Sequence, residues 1–493
     1  MAEKLSRRVF LHTAATLAGG VLLAACQPKV VEKIVKETVE VEKIVKETVE
    51  VEKIVKETVI VEKEVAPPIE EVTEVTVQTA WFAQEEPGRD FWQRAIKLFS
   101  EKEENADLKV TLINVATSPE DMLTSIAGGT APDIYHTYGG TTGSFDVEDL
   151  APRGVAIELD DFMPTARYFK KEEYYPEQWE QKTWNGKVWG LPVTEGGPGC
   201  CAMSWHKRLF EAAGLDPDKG PATWEQMIDY ALKLSIYDDD GNVDVEGFDP
   251  LDACGCCWPN WMWWCDSPGI SEDKRTILFN QNHWGDFLEL IAAIYQGIGV
   301  EKMAAHKLAW SYWTGHKSGF PNGKRAMLLN GYWQPGEFVS VLADQSWEIG
   351  YDWPPNFVEG KKAMGFGGTH TLWMTSNTEQ PAQAFRFMDF MMSVEVNILN
   401  FELRGGFVLS EPLLKVLDVG RYKGLDWFMK MRAEADVVYS PLATSSPIGA
   451  EVNKLWNRAV QEAIYDEKTP KQALDDITTE LQESLDRAWE AME

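Results

Sequence analysis

From Val72 to Tyr135 the chain switches repeatedly between two hydrophobic spacings, and that alternation restricts the fold more than any other feature. The run Val72-Thr73-Glu74-Val75-Thr76-Val77-Gln78-Thr79-Ala80-Trp81 is β-branched and alternating, which predicts a strand. Residues 89–103 place Phe91, Trp92, Ala95, Ile96 and Phe99 on one helical face. Lys109 to Val115 predicts a second strand, Pro119 to Ala127 a helix, and Ala131-Pro132-Asp133-Ile134-Tyr135 a third strand. Strand, helix, strand, helix, strand at this spacing implies an α/β unit with a largely parallel sheet, since parallel neighbours need a helical crossover between them. Ligands of such sheets sit beyond the carboxyl ends of the strands. The stretches Trp81 to Glu86 and Thr137 to Thr142 follow two of those ends.

The first residues carry a different kind of information. Ser6-Arg7-Arg8-Val9-Phe10-Leu11 sets a twin-arginine pair before an apolar run, an export signal. Leu23-Ala24-Ala25-Cys26 resembles the lipobox of bacterial lipoproteins, in which the cysteine is acylated and becomes the new N-terminus. The run from Val9 to Ala25 is too short and too weakly apolar for a spanning helix. Residues 1–25 therefore read as a signal peptide and Cys26 as a lipidation site. The chain is then exported and lipid-anchored on the outer face of the cytoplasmic membrane. Cleavage before Cys26 leaves 468 of 493 residues. That exceeds the roughly 250–300 residues one core serves, so two lobes are expected. A formal net charge of −31 repels nucleic acid and anionic lipid surfaces, leaving the acyl group as the membrane link.

After Cys26 the decad Val31-Glu32-Lys33-Ile34-Val35-Lys36-Glu37-Thr38-Val39-Glu40 recurs at 41–50 and again at 51–60, where Ile60 closes the third copy. As a helix, its apolar stripe would slip by about 80° per decad. That fits neither a straight helix face nor a 3.5-residue seam. Residues 26–71 read as the lipidated cysteine and a spacer, with a self-associating coil as the rival reading. Pro67-Pro68 ends the spacer.

Five stretches in order resemble the extracellular solute-binding proteins of ABC importers, specifically the carbohydrate-binding family related to maltose-binding protein. They are Gly128-Gly129-Thr130-Ala131-Pro132-Asp133-Ile134; Trp184-Asn185-Gly186-Lys187-Val188-Trp189-Gly190-Leu191-Pro192; Trp205 to Leu215 with Pro221-Ala222-Thr223-Trp224-Glu225; Phe320 to Met327 with Gly331-Tyr332-Trp333; and Lys468 to Leu474. Trp205-His206 stands where the family has Tyr-Asn. The resemblance runs from about residue 72 to 487. It implies an α/β fold of two lobes, the type II periplasmic-binding-protein arrangement, each lobe a mainly parallel sheet flanked by helices. Lobe 1 would comprise 72–192 and 366–412, and lobe 2 would comprise 193–365 and 413–493. Gly196, Gly367 and Gly368 fall where hinge crossings are expected, because glycine tolerates the backbone changes a hinge absorbs.

Candidate ligand contacts follow from the strand ends and from the resemblance. Trp333, in its Gly-x-Trp context, resembles the family's sugar-stacking tryptophan. Trp81 and Glu85 follow the first strand, and Tyr138 and Thr141 follow the Pro-Asp strand. Glu195 sits at the first crossing, and carboxylates suit polyols because each oxygen accepts more than one O–H. Trp353, His370 and Arg404 lie in segments that approach the cleft in this family. For each of these residues packing or surface solvation is the alternative.

Tryptophan is over-represented, with 21 residues, and Trp258, Trp261, Trp263 and Trp264 lie close together. Trp263 is a candidate contact. Cysteines flank this segment: Cys254, Cys256, Cys257 and Cys265 join Cys200 and Cys201 to make six besides Cys26. An even number in an exported chain suggests disulfides that staple a tryptophan-rich loop at the cleft mouth. Cys254-Gly255-Cys256-Cys257 lacks zinc-site spacing, so no metal is expected.

The leading function is capture of a carbohydrate, an oligosaccharide, and its delivery to the ABC permease by a monomer needing no cofactor or catalytic residue. A polyamine, a peptide-like compound or a metal chelate in the same fold is the alternative. A secreted glycoside hydrolase is more remote: no carboxylate spacing singles out an acid and a nucleophile, and no G-x-S-x-G, H-E-x-x-H or P-loop occurs.

Overall fold

A computed structural model describes residues 72–80, 88–114, 118–138, 147–199, 202–251, 261–310, 318–339, 348–367, 370–439 and 446–490. The expected signal peptide, Cys26 and the decad spacer lie outside them. In chain order the strands that build the body are β1 (Thr73–Thr79), β2 (Leu108–Ile113), β3 (Ile134–Tyr138), β4 (Leu191–Pro192), β5 (Gly197–Gly199), β6 (Ala202–His206), β7 (Met327–Asn330), β8 (Ile349–Asp352), β9 (Ala363–Gly367), β10 (His370–Met374) and β11 (Val437–Tyr439). They form a five-stranded sheet β2-β1-β3-β10-β4 and three-stranded sheets β7-β6-β8 and β11-β9-β5.

The strand–helix alternation at the start of the body is present, with shifted edges. The first helix is Gly88–Ser100, burying Phe91, Trp92, Ala95 and Phe99. It stops short of residue 103 because Asn105 turns back and its side-chain amide donates to the Phe99 carbonyl at 2.9 Å. Pro119–Ala127 is helical as expected, capped by Ser118, which accepts from the Asp121 amide. The third strand begins at Ile134 rather than Ala131. Pro132 has no N–H to give a ladder. The Asp133 carboxylate instead accepts from the Thr76 amide and hydroxyl at 2.8 and 2.7 Å, and from Thr378 Oγ1 at 2.6 Å. The Pro-Asp element is thus a knot joining β1, β3 and the turn after β10.

The expectation of mainly parallel sheets needs correction. Only β1–β2 and β1–β3 are parallel in the first sheet; β10 is antiparallel to both its neighbours. The reason is topological: β3 and β4 run toward the lobe junction, whereas β10 enters from it after β9. In β7-β6-β8 every pairing is antiparallel, because β6 leaves the junction and β7 and β8 return to it.

Two separate cores support the two lobes. Under the five-stranded sheet lie Val75, Val77, Trp92, Phe99, Phe387 and Phe390, with a smaller cluster around Tyr135 and Trp373. Phe99 meets Phe387 and Phe390 edge-on at 5.2 and 5.4 Å. Fully burying each such ring is worth about 1.5–3 kcal/mol. The larger core gathers Trp205, Trp284, Phe287 and Trp456 with the helices Trp284–Ile298, Gly449–Ile464 and Pro470–Glu490. Within the second lobe, Glu246, Arg325 and His306 form a buried triad. Arg325 Nε stands 2.9 Å from Glu246 Oε1, and His306 Nδ1 stands 3.0 Å from Oε2.

The expected tryptophan-rich loop at a cleft mouth is corrected for its described part. Trp261 and Trp264 are buried, their rings 4.8 Å apart, and Trp261 lies 4.5 Å from Phe287. Trp261 thus packs against the helix Trp284–Ile298, and Trp264 against Trp261. Cys265 is likewise corrected: it is a free, buried thiol whose pKa burial raises. Trp258 and the other candidate disulfide residues, Cys200, Cys201, Cys254, Cys256 and Cys257, lie outside the described residues.

Candidate functional site at the lobe junction

The chain passes between sheets at three places. β4 continues through residues 193–196 into β5, and β9 leads into β10. The segment 405–409 runs beside the first crossing. There the Gly196 amide donates to Phe407 O at 2.8 Å, and the Leu409 amide donates to Gly196 O at 2.7 Å. The Tyr332 hydroxyl joins both, accepting from the Gly196 amide at 2.9 Å and donating to Phe407 O at 2.7 Å. A Cβ on Gly197 would stand 3.1 Å from the Tyr332 ring, a tight contact that glycine avoids. Gly367 pairs with Gly197 across β9 and β5, and Gly368 lies outside the described residues.

A buried polar cluster fills this junction. In register, His136 faces Leu372 and His370 faces Tyr138, so the two histidines are diagonal neighbours on one face. His136 Nε2 lies 3.0 Å from His370 Nδ1. Thr79 Oγ1 lies 2.8 Å from His136 Nδ1, and Thr194 Oγ1 lies 2.8 Å from His370 Nδ1. Thr194 adopts φ +63°, a rare conformation for a β-branched residue, and its carbonyl accepts from Asn400 Nδ2 at 2.5 Å. Burial, reinforced by the charges of Arg404 and Lys182, lowers His136 to about 3. Burial also holds His370 well below its ordinary value, with His136, Arg404 and Lys182 adding to the effect. Both rings are therefore neutral at pH 7. Lys182, fully buried, donates to Thr371 Oγ1 at 2.6 Å.

Toward the second lobe the cluster becomes charged. His370 Nε2 stands 3.5 Å from Glu195 Oε2. Arg404 divides its guanidinium between Glu195 Oε1 and Glu337 Oε1, both at 3.5 Å. Burial pushes Glu195 up to about 7 against the pull of Arg404, with Glu337 adding to the rise. Burial also raises Glu337, again opposed by Arg404. Arg404 ends the helix Val394–Arg404, and Glu337 lies on the helix Gln334–Val339. These helices meet through glycine. Gly405 has φ +75°, and a Cβ on it would stand 2.4 Å from the Gly336 Cα. That close approach sets the distance between Arg404 and Glu337.

Of the expected contacts, Glu195, His370 and Arg404 are brought together. The backbone of Tyr138 lies opposite His370. Trp81, Glu85, Thr141 and the side chains of Tyr138 and Trp263 are outside the described residues. Trp333 follows β7 at the junction end of its sheet, but its ring is 5% exposed, edge-on to Tyr332 at 5.4 Å. Trp353 is apart: it packs on Trp427 at 6.1 Å and under Lys362. It lines a surface pocket of about 890 Å³ with Trp224, Phe357 and Glu225, which shares no residue with the cluster. Sequence reasoning missed His136, Thr194, Tyr332 and Glu337. Glu337 follows Trp333 by one helical turn, the one local signal that could have found it.

Among the described residues no helix is long and apolar enough to cross a membrane. The family model of the bacterial extracellular solute-binding protein matches residues 95–408. The sn-glycerol-3-phosphate-binding periplasmic protein UgpB of Escherichia coli (strain K12) is 22% identical over 401 residues, 76% of this chain and 84% of UgpB. Among solved structures, CpMnBP1 with mannotriose bound superposes with a TM-score of 0.69 at 20% identity, covering 83% of this chain and 99% of that one. The maltose/maltodextrin-binding domain MalE from Bdellovibrio bacteriovorus, bound to maltotriose, gives 0.61 at 16% identity, covering 83% and 99%. These likenesses confirm the two-lobed α/β fold. With the family pattern matched along residues 95–408, the chain belongs to the bacterial extracellular solute-binding proteins.

Proposed function

We propose that the chain is the receptor of an ABC importer, which captures an oligosaccharide between its lobes and delivers it to a membrane permease. The observation that carries this reading is the Glu195–Arg404–Glu337 bridge beside His370, where groups from both lobes meet at the crossings. Carboxyl groups take several sugar hydroxyls, and the guanidinium between them opposes the rise that burial imposes on both and keeps them aimed. The cluster lies at the carboxyl ends of β1 and β3, where ligands of such sheets bind. Trp81, Glu85, Tyr138 and Thr141 follow those ends and would complete the first-lobe wall. Trp333 would support the second-lobe wall. The sugar-bound structures of similar fold support the choice of ligand class.

The lobes are taken as 72–192 with 366–412 and 193–365 with 413–493, hinging near Gly196, Gly367 and Gly368. Cys26 would carry the lipid, and the decad spacer would hold this monomeric receptor near its permease at high effective concentration. No covalent step is involved. A thermal-shift screen of neutral oligosaccharides, polyamines and metal chelates tests the reading. A ligand present at a hundred times its Kd adds about 2.7 kcal/mol to stability. Stabilisation by an oligosaccharide is expected. Stabilisation by a polyamine or chelate and by no sugar would overturn the proposal.

A further inference from the structure

We infer that the junction selects uncharged polyhydroxyl ligands and rejects phosphorylated or carboxylated ones, with Glu195 and Glu337 as the discriminating residues. This rests on the capture reading and narrows its ligand class. Anion sites in proteins present cationic forks or amide nests whose positive charge is left for the ligand. Here the arrangement is reversed. The guanidinium of Arg404 faces two carboxylates of the chain itself, Glu195 and Glu337, at 3.5 Å each. The buried ammonium of Lys182 donates to Thr371 on the neighbouring strand. The two histidines are held neutral by burial, so they act as hydrogen-bonding groups and not as cations.

A phosphate entering here would have to displace a carboxylate from Arg404 or lie against it in a site screened from water, where like charges repel strongly. A neutral sugar meets the opposite situation: carboxylate oxygens accept its hydroxyls and the guanidinium stays paired. The contrast is with UgpB, whose ligand, sn-glycerol-3-phosphate, is an anion.

Calorimetry on the whole purified protein decides the matter. Neutral disaccharides and trisaccharides are titrated, each beside its own terminal phosphate monoester, and glycerol 3-phosphate separately. The expected result is binding of a neutral sugar with at least 100-fold loss for its phosphate ester and no tighter binding of glycerol 3-phosphate. Equal or tighter binding of the ester overturns this inference and leaves sugar capture standing. Binding of glycerol 3-phosphate with no neutral sugar does the same to the selectivity and also removes the oligosaccharide. Binding of no member of any pair overturns the capture reading and this inference with it. In Glu337→Gln, Arg404 gains free charge, so the ester should recover at least tenfold relative to wild type. An unchanged ratio in the folded variant, checked by its melting curve, would remove Glu337 from the discriminating role.

Discussion

Two buried groups of the same three side-chain types stand in this molecule and differ in almost every other respect. In the second lobe, Glu246, Arg325 and His306 are closed on one another at 2.9–3.0 Å, with side chains 0–1% exposed. At the junction, Glu195, Arg404, His370 and Glu337 meet at 3.5 Å, and Glu337 is 26% exposed. The triad is flanked by Val245, Met303 and Ala326 of a single hydrophobic core, so packing can bring its members into full contact. The junction cluster draws on segments packed in both large cores, and two carboxylates share one guanidinium. Identical chemistry thus makes a closed rivet in one place and a looser, partly exposed bridge in the other. The difference lies in the elements that supply the residues.

The comparison can be broken most forcefully at the triad. Arg325→Met leaves Glu246 buried with its principal charge partner gone, and should cost about 3–5 kcal/mol, with ligand affinity of the folded fraction unchanged. Urea unfolding and calorimetry measure the two quantities; a loss of affinity at unchanged stability would reverse the roles assigned to the two groups. A smaller effect is expected from Gly405→Ala, about 1–3 kcal/mol from its left-handed backbone and the contact with Gly336. Here stability and affinity should fall together, because Arg404 and Glu337 are displaced. Affinity at the wild-type level in this variant would separate the bridge from binding.

The smallest expected effect is a change in pH dependence. Glu195 titrates near 7 in the folded chain against an ordinary 4.5, so its contribution is full below pH 4.5 and is lost as pH rises through 7. His136 and His370 have the opposite sign. Their folded values lie below the ordinary 6.5, so the stability they confer is present above pH 6.5 and is lost on acidification, for His136 toward about 3. Between pH 6.5 and 4.5 the carboxyl partly offsets the imidazoles. In Glu195→Gln the offset disappears, and the melting temperature should fall more steeply over that interval. Parallel curves for the two proteins would show that Glu195 does not titrate there.

The first sheet was legible because its signals are local: β-branched alternation in β1, a 3.6-residue face in Gly88–Ser100, and a Ser118 cap. Strand edges were less so, since the delay of β3 depends on Thr76 reaching Asp133 from another strand. Parallelism failed for β10 because its direction is set by a visit to the other lobe. In the site, Glu195, His370 and Arg404 could be named from their segments. His136 could not, because its partner lies 234 residues away. Thr194 was hidden for another reason: a β-branched residue is the least expected occupant of a left-handed position. The dense tryptophans misled because their number says nothing about which way an indole faces.

The place of β10 between β3 and β4 has a consequence for how the protein is made. β10, one of three inner strands of the first sheet, is the last of that sheet to be synthesised, so the edge of β3 stays unpaired while more than two hundred residues are added. At ribosomal rates of about 5–20 residues per second, that is roughly ten to fifty seconds. Throughout that interval the nascent chain carries an open edge of the kind that invites pairing with other chains. Whatever shelters newly made chains must cover this one until residue 374 emerges.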